Sequence, residues 1–288
     1  MVDRGDKMKK IGFVVLHYCA IDETYKCVDS IFNNLNTDLF HIVIVDNNSP
    51  DESGKLLKEH YKNYDNVTVI NLEKNLGFSK GNNVGFKYLK NNIACDYIAL
   101  LNNDVYFLQK NFLDIIEKEY KNSSFAVLGP KILLKNNSIN PINEKLLSLS
   151  DYKKIRIKLI FHLILSYFNL ENLYKKIRQS GNTSNSNFKT DNYLENIILH
   201  GCCLIFSPTY INKFDGLDEK TFLYAEEELL YLKLKNNNLK SVYLPQLEIF
   251  HNEDQSTNAV TKTKYKKNIF LYKNLLLANK VLIKEISK

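Results

Sequence analysis

The chain has 288 residues, of which 44% are hydrophobic and 25% charged, a length typical of one large domain or two small ones. This composition excludes a disordered or fibrous protein, and no run reaches the roughly 18 apolar residues of a bilayer-spanning helix. The formal net charge of +7 favours anionic partners, whether phosphate, nucleotide or lipid headgroup, without choosing among them.

The cysteines and the first residues bear on where the protein works. The five cysteines form no CxxC pair, so we expect reduced, buried thiols rather than a disulfide framework or a zinc knuckle. The segment Met1–Lys10 lacks the apolar core of a secretory signal. Both features favour a cytoplasmic protein.

Apolar strands and amphipathic helices alternate through the first half of the chain. Buried strands are predicted at Ile11–Leu16, His41–Val45, Val67–Leu72 and Tyr97–Leu101. Helices are predicted between them at Glu23–Asn34, Ser53–Tyr61 and Gly81–Asn91. This alternation predicts βαβ units and a mostly parallel sheet.

The second half of the chain has a different pattern. Residues 141–189 predict an inserted helical hairpin that ends in a Ser/Asn/Gly-rich loop at 180–187. The lysine-flanked apolar segment 153–178 fits either an interfacial helix or an ordinary amphipathic helix on the core. The elements predicted after it are a strand within 197–207, a strand near 241–244 and a basic C-terminal helix at 263–284.

Three polar clusters directly follow predicted strands. Asp46 follows the second strand, the segment Asn75–Gly85 the third, and Asp104 the fourth. In an open parallel sheet, the carboxyl ends of the strands line the ligand crevice. We therefore predict one binding site assembled from three loops.

Several common catalytic motifs are missing from the chain. The first strand is followed by His17-Tyr18-Cys19 instead of GxGxxG, and neither a P-loop nor a GxSxG motif occurs. The remaining groups suit a nucleoside diphosphate: Asp46 can accept from a base or ribose, and the glycines of 75–85 let backbone N–H groups approach a phosphate. Asp104 suits a hard divalent cation that bridges the diphosphate.

Six motifs in order resemble the family 2 glycosyltransferases, especially bacterial rhamnosyltransferase-like members that build surface polysaccharides. They are IVIVDNNS (42–49), NLGFSKGNNVG (75–85), LLNNDV (100–105), GCCLIF (201–206), FDGLDEKTFLYAEEEL (214–229) and His251. The resemblance implies an α/β fold of the GT-A type, with a Rossmann-like mixed, mostly parallel sheet flanked by helices, a helical insertion and a C-terminal helix. It divides the chain into a nucleotide-sugar-binding part (1–140), the insertion (141–195), an acceptor and catalytic part (196–260) and a basic helix (261–288).

The resemblance also implies roles for individual residues. The expected donor-binding residues are Tyr18, Asp46, Asn75, Gly77, Lys80, Asn82, Asn103 and Asp104. The family's Glu-Asp-x-Asp run appears as Glu226-Glu227-Glu228-Leu229, so the catalytic residues are Glu227 as the base, with Glu226 beside it, and Leu229 replaces the last acid. Gly201 and Asp218 are expected to bind the acceptor. A Mn²⁺ or Mg²⁺ ion is expected on Asp104, with His251 as a second ligand or as a structural residue.

The implied activity is inverting transfer of a sugar from a UDP-sugar or dTDP-rhamnose to a hydroxyl of a growing, lipid-linked bacterial surface glycan. The expected partners are the nucleotide-sugar donor, the glycan or lipid-linked acceptor and an anionic membrane surface, but not nucleic acid. The protein would work in the cytoplasm, peripherally at the inner face of the cell membrane.

Two alternatives belong to other functional classes. A sugar-nucleotide pyrophosphorylase would carry glycine and arginine after the first strand, and Leu16–Glu23 has neither. A non-catalytic nucleotide-binding protein would bind a nucleoside diphosphate without turnover, and the leucine at position 229 is its best support.

Overall fold

The computed structural model describes residues 9–135, 138–142, 144–170, 191–252 and 264–288. Its strands are β1 (Ile11–His17), β2 (Phe40–Asp46), β3 (Val67–Asn71), β4 (Tyr97–Asn102), β5 (Val105–Phe107), β6 (Val127–Leu134), β7 (Leu194–Glu195), β8 (Cys203–Phe206) and β9 (Ser241–His251). Its helices are α1 (Ile21–Asn34), α2 (Ser53–His60), α3 (Phe78–Tyr88), α4 (Phe112–Ser123), α5 (Leu149–Tyr167), α6 (Pro208–Ile211), α7 (Glu226–Asn236) and α8 (Lys264–Ile286). A π-helical turn, Leu89–Ile93, extends α3.

The described strands form one nine-stranded sheet in the order β3-β2-β1-β4-β8-β6-β9-β5, with β7 beside β9. The β1, β2, β3 and β4 strands are parallel, as are β6 and β9. The β8 strand runs antiparallel to β4 and β6, and β5 and β7 run antiparallel to β9. The predicted mixed α/β sheet flanked by helices is confirmed.

The sheet is buried on both faces, which explains the continuous apolar runs of its strands. In β1, Phe13 and Val15 belong to one hydrophobic cluster, with α1, α2 and α4, whereas Val14 belongs to the other, with α3, α6 and α7. The α3 helix lies close against the sheet at Gly85, because a Cβ there would be 2.6 Å from a methyl group of Val14.

Some element boundaries differ from those predicted. The α3 helix begins at Phe78, three residues before the predicted start at Gly81, so Lys80 and Asn82 lie inside it. The β9 strand continues past the predicted 241–244 to His251, which makes this histidine its last residue.

The structure describes only the first part of the predicted inserted hairpin. Its first helix, α5, packs against the C-terminal helix α8: Asn279 donates to the Tyr152 carbonyl (3.1 Å) and the rings of His162 and Tyr272 stack. In these contacts the residue number rises along α5 while it falls along α8, so the two helices are antiparallel. Residues 171–190, including the loop predicted at 180–187, lie outside the described residues. Within the described chain, no helix combines the length and the apolarity needed to cross a bilayer.

Candidate active site

Strand pairing gathers the predicted site residues at one edge of the sheet. His17 at the end of β1 is paired with Asp46 at the end of β2. The antiparallel β8 and β9 bring distant segments to the same edge, because Leu101 is opposite Cys203 and Val105 is opposite His251. The edge is therefore built from both halves of the chain.

Asp46 lies on one side of this edge and is 5% exposed. Its Oδ1 accepts hydrogen bonds from the backbone N–H (3.1 Å) and the hydroxyl (2.5 Å) of Ser49. The α2 helix comes close to the same carboxylate, since a Cβ on Gly54 would lie 2.1 Å from Asp46 Oδ2. Nearby, burial raises the pKa of Tyr18, whose hydroxyl is hydrogen-bonded to Asn75.

The buried Asn47 holds the turn that carries Asn75 and Gly77. Its Oδ1 accepts from the Leu76 N–H (2.8 Å) and its Nδ2 donates to the Gly77 carbonyl (3.1 Å). Asn75 Oδ1 accepts from the Gly77 N–H (2.9 Å) within the turn. The sequence interpretation did not single out Asn47, although it directly follows Asp46 in the DNNS motif.

Glycine is required at position 77 for two reasons. Its φ of +81° lies in the region that side chains disfavour, and a Cβ there would be 2.1 Å from the Phe222 carbonyl oxygen. The same carbonyl accepts from the Phe78 N–H (2.8 Å). The Asn75–Gly77 turn is thus attached to the segment that precedes the acidic run.

The first turns of α3 place the remaining residues predicted from the NLGFSKGNNVG motif. Asn82 is buried and donates to the Phe78 carbonyl (3.1 Å), while its Oδ1 has no hydrogen-bond partner in the described chain. Lys80 is exposed. A hydrogen bond from Asn83 holds the pKa of Glu219 below its usual value, with the positive charges of lysines including Lys80 adding to the effect. Lys80 therefore lies near Glu219.

His17 connects the two sides of the edge. Its Nδ1 lies 2.7 Å from the Thr24 hydroxyl of α1, and its Nε2 lies 2.7 Å from the Ser53 hydroxyl of α2. Asn103 donates to the same Thr24 oxygen (3.0 Å). Burial lowers the pKa of His17. The sequence interpretation assigned Tyr18 from this segment and missed His17, whose partners come from separate helices.

Asp104 and His251 are in contact. Asp104 Oδ1 lies 3.1 Å from His251 Nε2, and both side chains are buried. The Asn252 N–H donates to the Asp104 carbonyl (2.8 Å), which fixes the end of β9 to the loop after β4. The Nδ1 of His251 has no hydrogen-bond partner in the described chain.

This pair offers a divalent cation one carboxylate oxygen and one imidazole nitrogen. Among the described residues, no group of three or more His, Cys, Asp or Glu side chains is arranged to hold a metal. Mg²⁺ commonly binds through one or two carboxylates together with substrate phosphates and water. A histidine ligand shifts the preference toward Mn²⁺. The pair therefore fits an ion that is completed by a bound diphosphate.

The acidic run begins helix α7. The two residues before it, Tyr224 (φ 71°) and Ala225 (φ 67°), both adopt the left-handed conformation. Non-glycine residues in this region cost of order 1–3 kcal/mol each and occur where surrounding structure enforces them, often at functional sites. This turn brings Glu227 to the chain before β8, where its Oε1 accepts from the Gly201 N–H (2.5 Å).

Glu226 has different surroundings. One oxygen of its carboxyl group is buried without a hydrogen-bond partner in the described chain. Burial, with the neighbouring charges of Glu227 and Glu228, raises its pKa to about 7. Burial also raises the pKa of Glu228. The surroundings of Glu226 therefore disfavour its charged form, compared with a solvent-exposed glutamate.

His200 lies between the acidic run and the Asp104–His251 pair. Its Nδ1 accepts from the Cys202 N–H (3.1 Å) and lies 3.9 Å from Glu227 Oε1, while its ring centre is 6.0 Å from that of His251. The sequence interpretation missed this residue. The available signal was a histidine directly before Gly201 in an apolar run.

Asp218 and Leu229 make contacts outside the group formed by Glu227, Gly201 and His200. Asp218 is bound to Lys220, whose backbone N–H (2.9 Å) and Nζ (2.7 Å) both contact its carboxylate, and no hydrogen bond or ion pair joins it to Glu227 or Gly201 in the described chain. Leu229 is 3% exposed and packs with Tyr152 of α5 and Leu282 of α8. The leucine at the position of the last family acid therefore anchors the α5/α8 pair.

Comparison with known proteins identifies the family of this chain. The family model described as "Glycosyl transferase family 2" matches residues 13–176, more than half of the chain. The low-salt glycan biosynthesis hexosyltransferase Agl10 of Haloferax volcanii is 21% identical over 94% of this chain and 84% of its own length. The teichoic acid poly(glycerol phosphate) polymerase of Staphylococcus epidermidis is 33% identical over 28% of this chain, which matches only 11% of that protein.

Solved structures show the same fold. S. aureus TarS residues 1–349 in complex with UDP-GlcNAc superimposes with a TM-score of 0.56 at 16% identity, covering 94% of this chain and 66% of that one. A second TarS structure has a TM-score of 0.54 at 17% identity, and the chain spans 36% of it. The family predicted from the six motifs is confirmed. The chain belongs to glycosyl transferase family 2, and the protein is a glycosyltransferase.

Proposed function

We propose that the protein moves a sugar from a nucleotide-diphosphate donor to a hydroxyl group of a growing glycan. The observation that carries this proposal is that His200 is close both to Glu227 and to His251 of the Asp104–His251 pair. A proton acceptor and a place for a diphosphate are the two groups that such a transfer needs. Family membership favours this activity over a pyrophosphorylase.

The donor binds along the carboxyl edge of the sheet. Asp46 and Tyr18 face the nucleoside, and the Asn75–Gly77 turn and the start of α3 contact the diphosphate. The TarS structure that shares this fold is a complex with UDP-GlcNAc, which supports a UDP-sugar as the first donor to test, with dTDP-rhamnose as the second. Asp104 and His251 would hold the divalent cation, which would supply positive charge to offset that of the leaving diphosphate.

The reaction is a single displacement with inversion, which needs one base and no protein nucleophile. Glu227 takes the proton of the acceptor hydroxyl. The Gly201 N–H, which donates to its carboxylate, fixes the position of that group. Glu226 supports the turn beside it. The acceptor is a lipid-linked glycan presented at the cytoplasmic face of the membrane, in keeping with the glycan and teichoic acid functions in the names of the relatives.

Titration calorimetry of the full chain with UDP, dTDP and GDP tests the donor site. We expect one of these nucleotides to bind in the presence of Mn²⁺ and to bind much more weakly after EDTA treatment. Asp104→Ala should abolish the metal-dependent part of this affinity, and His251→Ala should reduce it less, because the histidine supplies only one of several ligands.

The matched control is Asp218→Ala, which removes a half-buried carboxylate that makes no contact with the pair in the described chain. It should bind the nucleotide as the wild type does. Binding that is indifferent to EDTA and to Asp104→Ala would contradict the metal assignment and leave Lys80 as the partner of the diphosphate. Binding of none of the three nucleotides would contradict the donor class.

A further inference from the structure

The antiparallel pair of helices α5 and α8 is attached to the catalytic helix α7. Leu229 of α7 packs with Tyr152 of α5 and Leu282 of α8. The ring of Phe222, whose carbonyl binds the donor-side turn, is in edge contact with Phe270 of α8. A surface that contacts this helix pair is therefore held at a fixed position relative to Glu227.

The outer side of α5 exposes a row of large apolar side chains. The row recurs every three or four residues and consists of Ile157, Ile160, Phe161, Ile164, Tyr167 and Phe168. Each is between 40% and 71% exposed. This spacing gives one stripe along a helix. Contiguous exposed apolar surface of this kind marks an interaction site, whereas single exposed apolar residues are ordinary.

The same two helices carry the excess positive charge of the protein. They hold ten lysines and arginines against two acids, which leaves 29 basic and 30 acidic residues in the rest of the chain. Lys153, Lys154 and Lys158 are exposed on α5. Lys273 of α8 lies 5.5 Å above the ring of Tyr167, so positive charge borders the apolar row from the neighbouring helix.

We propose that this α5/α8 surface binds the protein to an anionic lipid bilayer. Apolar side chains enter the boundary between headgroups and acyl chains, and the lysines contact the anionic headgroups. A second copy of the chain is a poor occupant, because it would present the same concentrated positive charge. The further statement that this surface presents a lipid-linked acceptor to Glu227 rests on the proposed function.

Sedimentation of the full chain with vesicles tests the surface without using activity. One set of vesicles contains phosphatidylcholine alone, and the other contains equal parts of phosphatidylcholine and phosphatidylglycerol. We expect the wild type to bind the anionic set and to lose this binding as the salt concentration rises. Lys153→Gln/Lys154→Gln/Lys158→Gln should weaken it about 100-fold, since each lysine near an anionic surface contributes roughly fivefold. Ile160→Ser/Phe161→Ser/Ile164→Ser should weaken it at all salt concentrations.

Matched controls come from helix α2 and the turn after it, which offer the same residue types on another face. Lys55→Gln/Lys58→Gln/Lys62→Gln removes three exposed lysines, and Leu56→Ser removes an exposed leucine. Both should bind vesicles as the wild type does. Far-ultraviolet circular dichroism checks that each variant is folded.

Two outcomes would overturn the inference. The first is equal binding of wild type and the lysine variant to anionic and neutral vesicles, or no binding by either. The second is a concentration-dependent dimer that the apolar variant abolishes, which would assign the surface to a second copy. If vesicles bind as expected but no sugar is transferred, the proposed function fails while the membrane surface stands. If sugar is transferred to a soluble acceptor but vesicles do not bind, the membrane surface fails while the proposed transfer stands.

Discussion

Glu226 and Glu227 are adjacent in the chain, but their carboxyl groups lie in different surroundings. Glu227 is partly exposed and accepts the Gly201 N–H, next to His200. Glu226 is also partly exposed as a residue, but one of its carboxyl oxygens is buried and has no hydrogen-bond partner in the described chain. This contrast favours Glu227 as the base and a structural role for Glu226.

The raised pKa of Glu226 predicts how stability depends on pH. A glutamate in the unfolded chain titrates near 4.5 and this one near 7, so the folded protein holds an extra proton between these values. The free energy of unfolding therefore falls as the pH rises through this window. Glu226→Gln removes this pH-dependent decrease in stability. The variant should be about 3 kcal/mol more stable than the wild type at pH 8, with little difference at pH 4. Urea unfolding across this pH range measures the effect.

Glu219→Gln is the control of opposite sign. A hydrogen bond from Asn83 lowers the pKa of Glu219 in the folded protein. The carboxylate therefore stabilises the fold at pH values above the pKa of the unfolded chain, and this stabilisation is lost on acidification. The variant should be less stable than the wild type at neutral pH. If the free energy of unfolding of Glu226→Gln depended on pH in the same way as that of the wild type, Glu226 would not be buried in its neutral form.

The sequence predicts some site residues better than others. Asp46 and Asp104 were identifiable because each directly follows an apolar strand, and that pattern is local. Asn47 and His200 were missed because their partners, the Asn75–Gly77 turn and the Glu227 carboxylate, come from separate segments of the chain. Neither residue type carries a local signal that distinguishes a site from an ordinary turn or strand.

At the scale of elements, the change from acid to leucine at position 229 has a packing explanation. The side chain is 3% exposed and lies against Tyr152 and Leu282. An acid here would be charged inside an apolar contact between three helices. The departure from the family motif therefore reflects the docking of α5 and α8 on α7.

Leu229→Asp tests this explanation. We expect it to lower the free energy of unfolding by at least about 3 kcal/mol, because it loses apolar contacts and buries an unpaired carboxylate. Leu277→Asp, at an exposed leucine of α8, should change it by no more than about 0.5 kcal/mol. Chemical denaturation of both variants gives the comparison. Unchanged stability together with faster sugar transfer in Leu229→Asp would place residue 229 in the site.

At the scale of the whole molecule, the predictable part of the fold is the part built from neighbours in sequence. The alternation of strands and helices through β4 indicated the parallel half of the sheet, and the observed bounds differ by only a few residues. The pairing of α5 with α8 was not predictable, because roughly one hundred residues separate the two helices. The sequence of an apolar helix face does not identify the element that it packs against.

The central claim is that Glu227, beside the Asp104–His251 pair, is the base of a sugar transfer. The most direct test is the kcat of Glu227→Gln and Glu226→Gln against the wild type, with the donor identified by calorimetry and a membrane fraction of lipid-linked glycan as the acceptor. We predict that Glu227→Gln lowers kcat by roughly 10²–10⁴-fold with donor affinity nearly unchanged, the contribution of a positioned base, and that Glu226→Gln retains most of the activity. Full activity in Glu227→Gln with loss in Glu226→Gln would contradict the account.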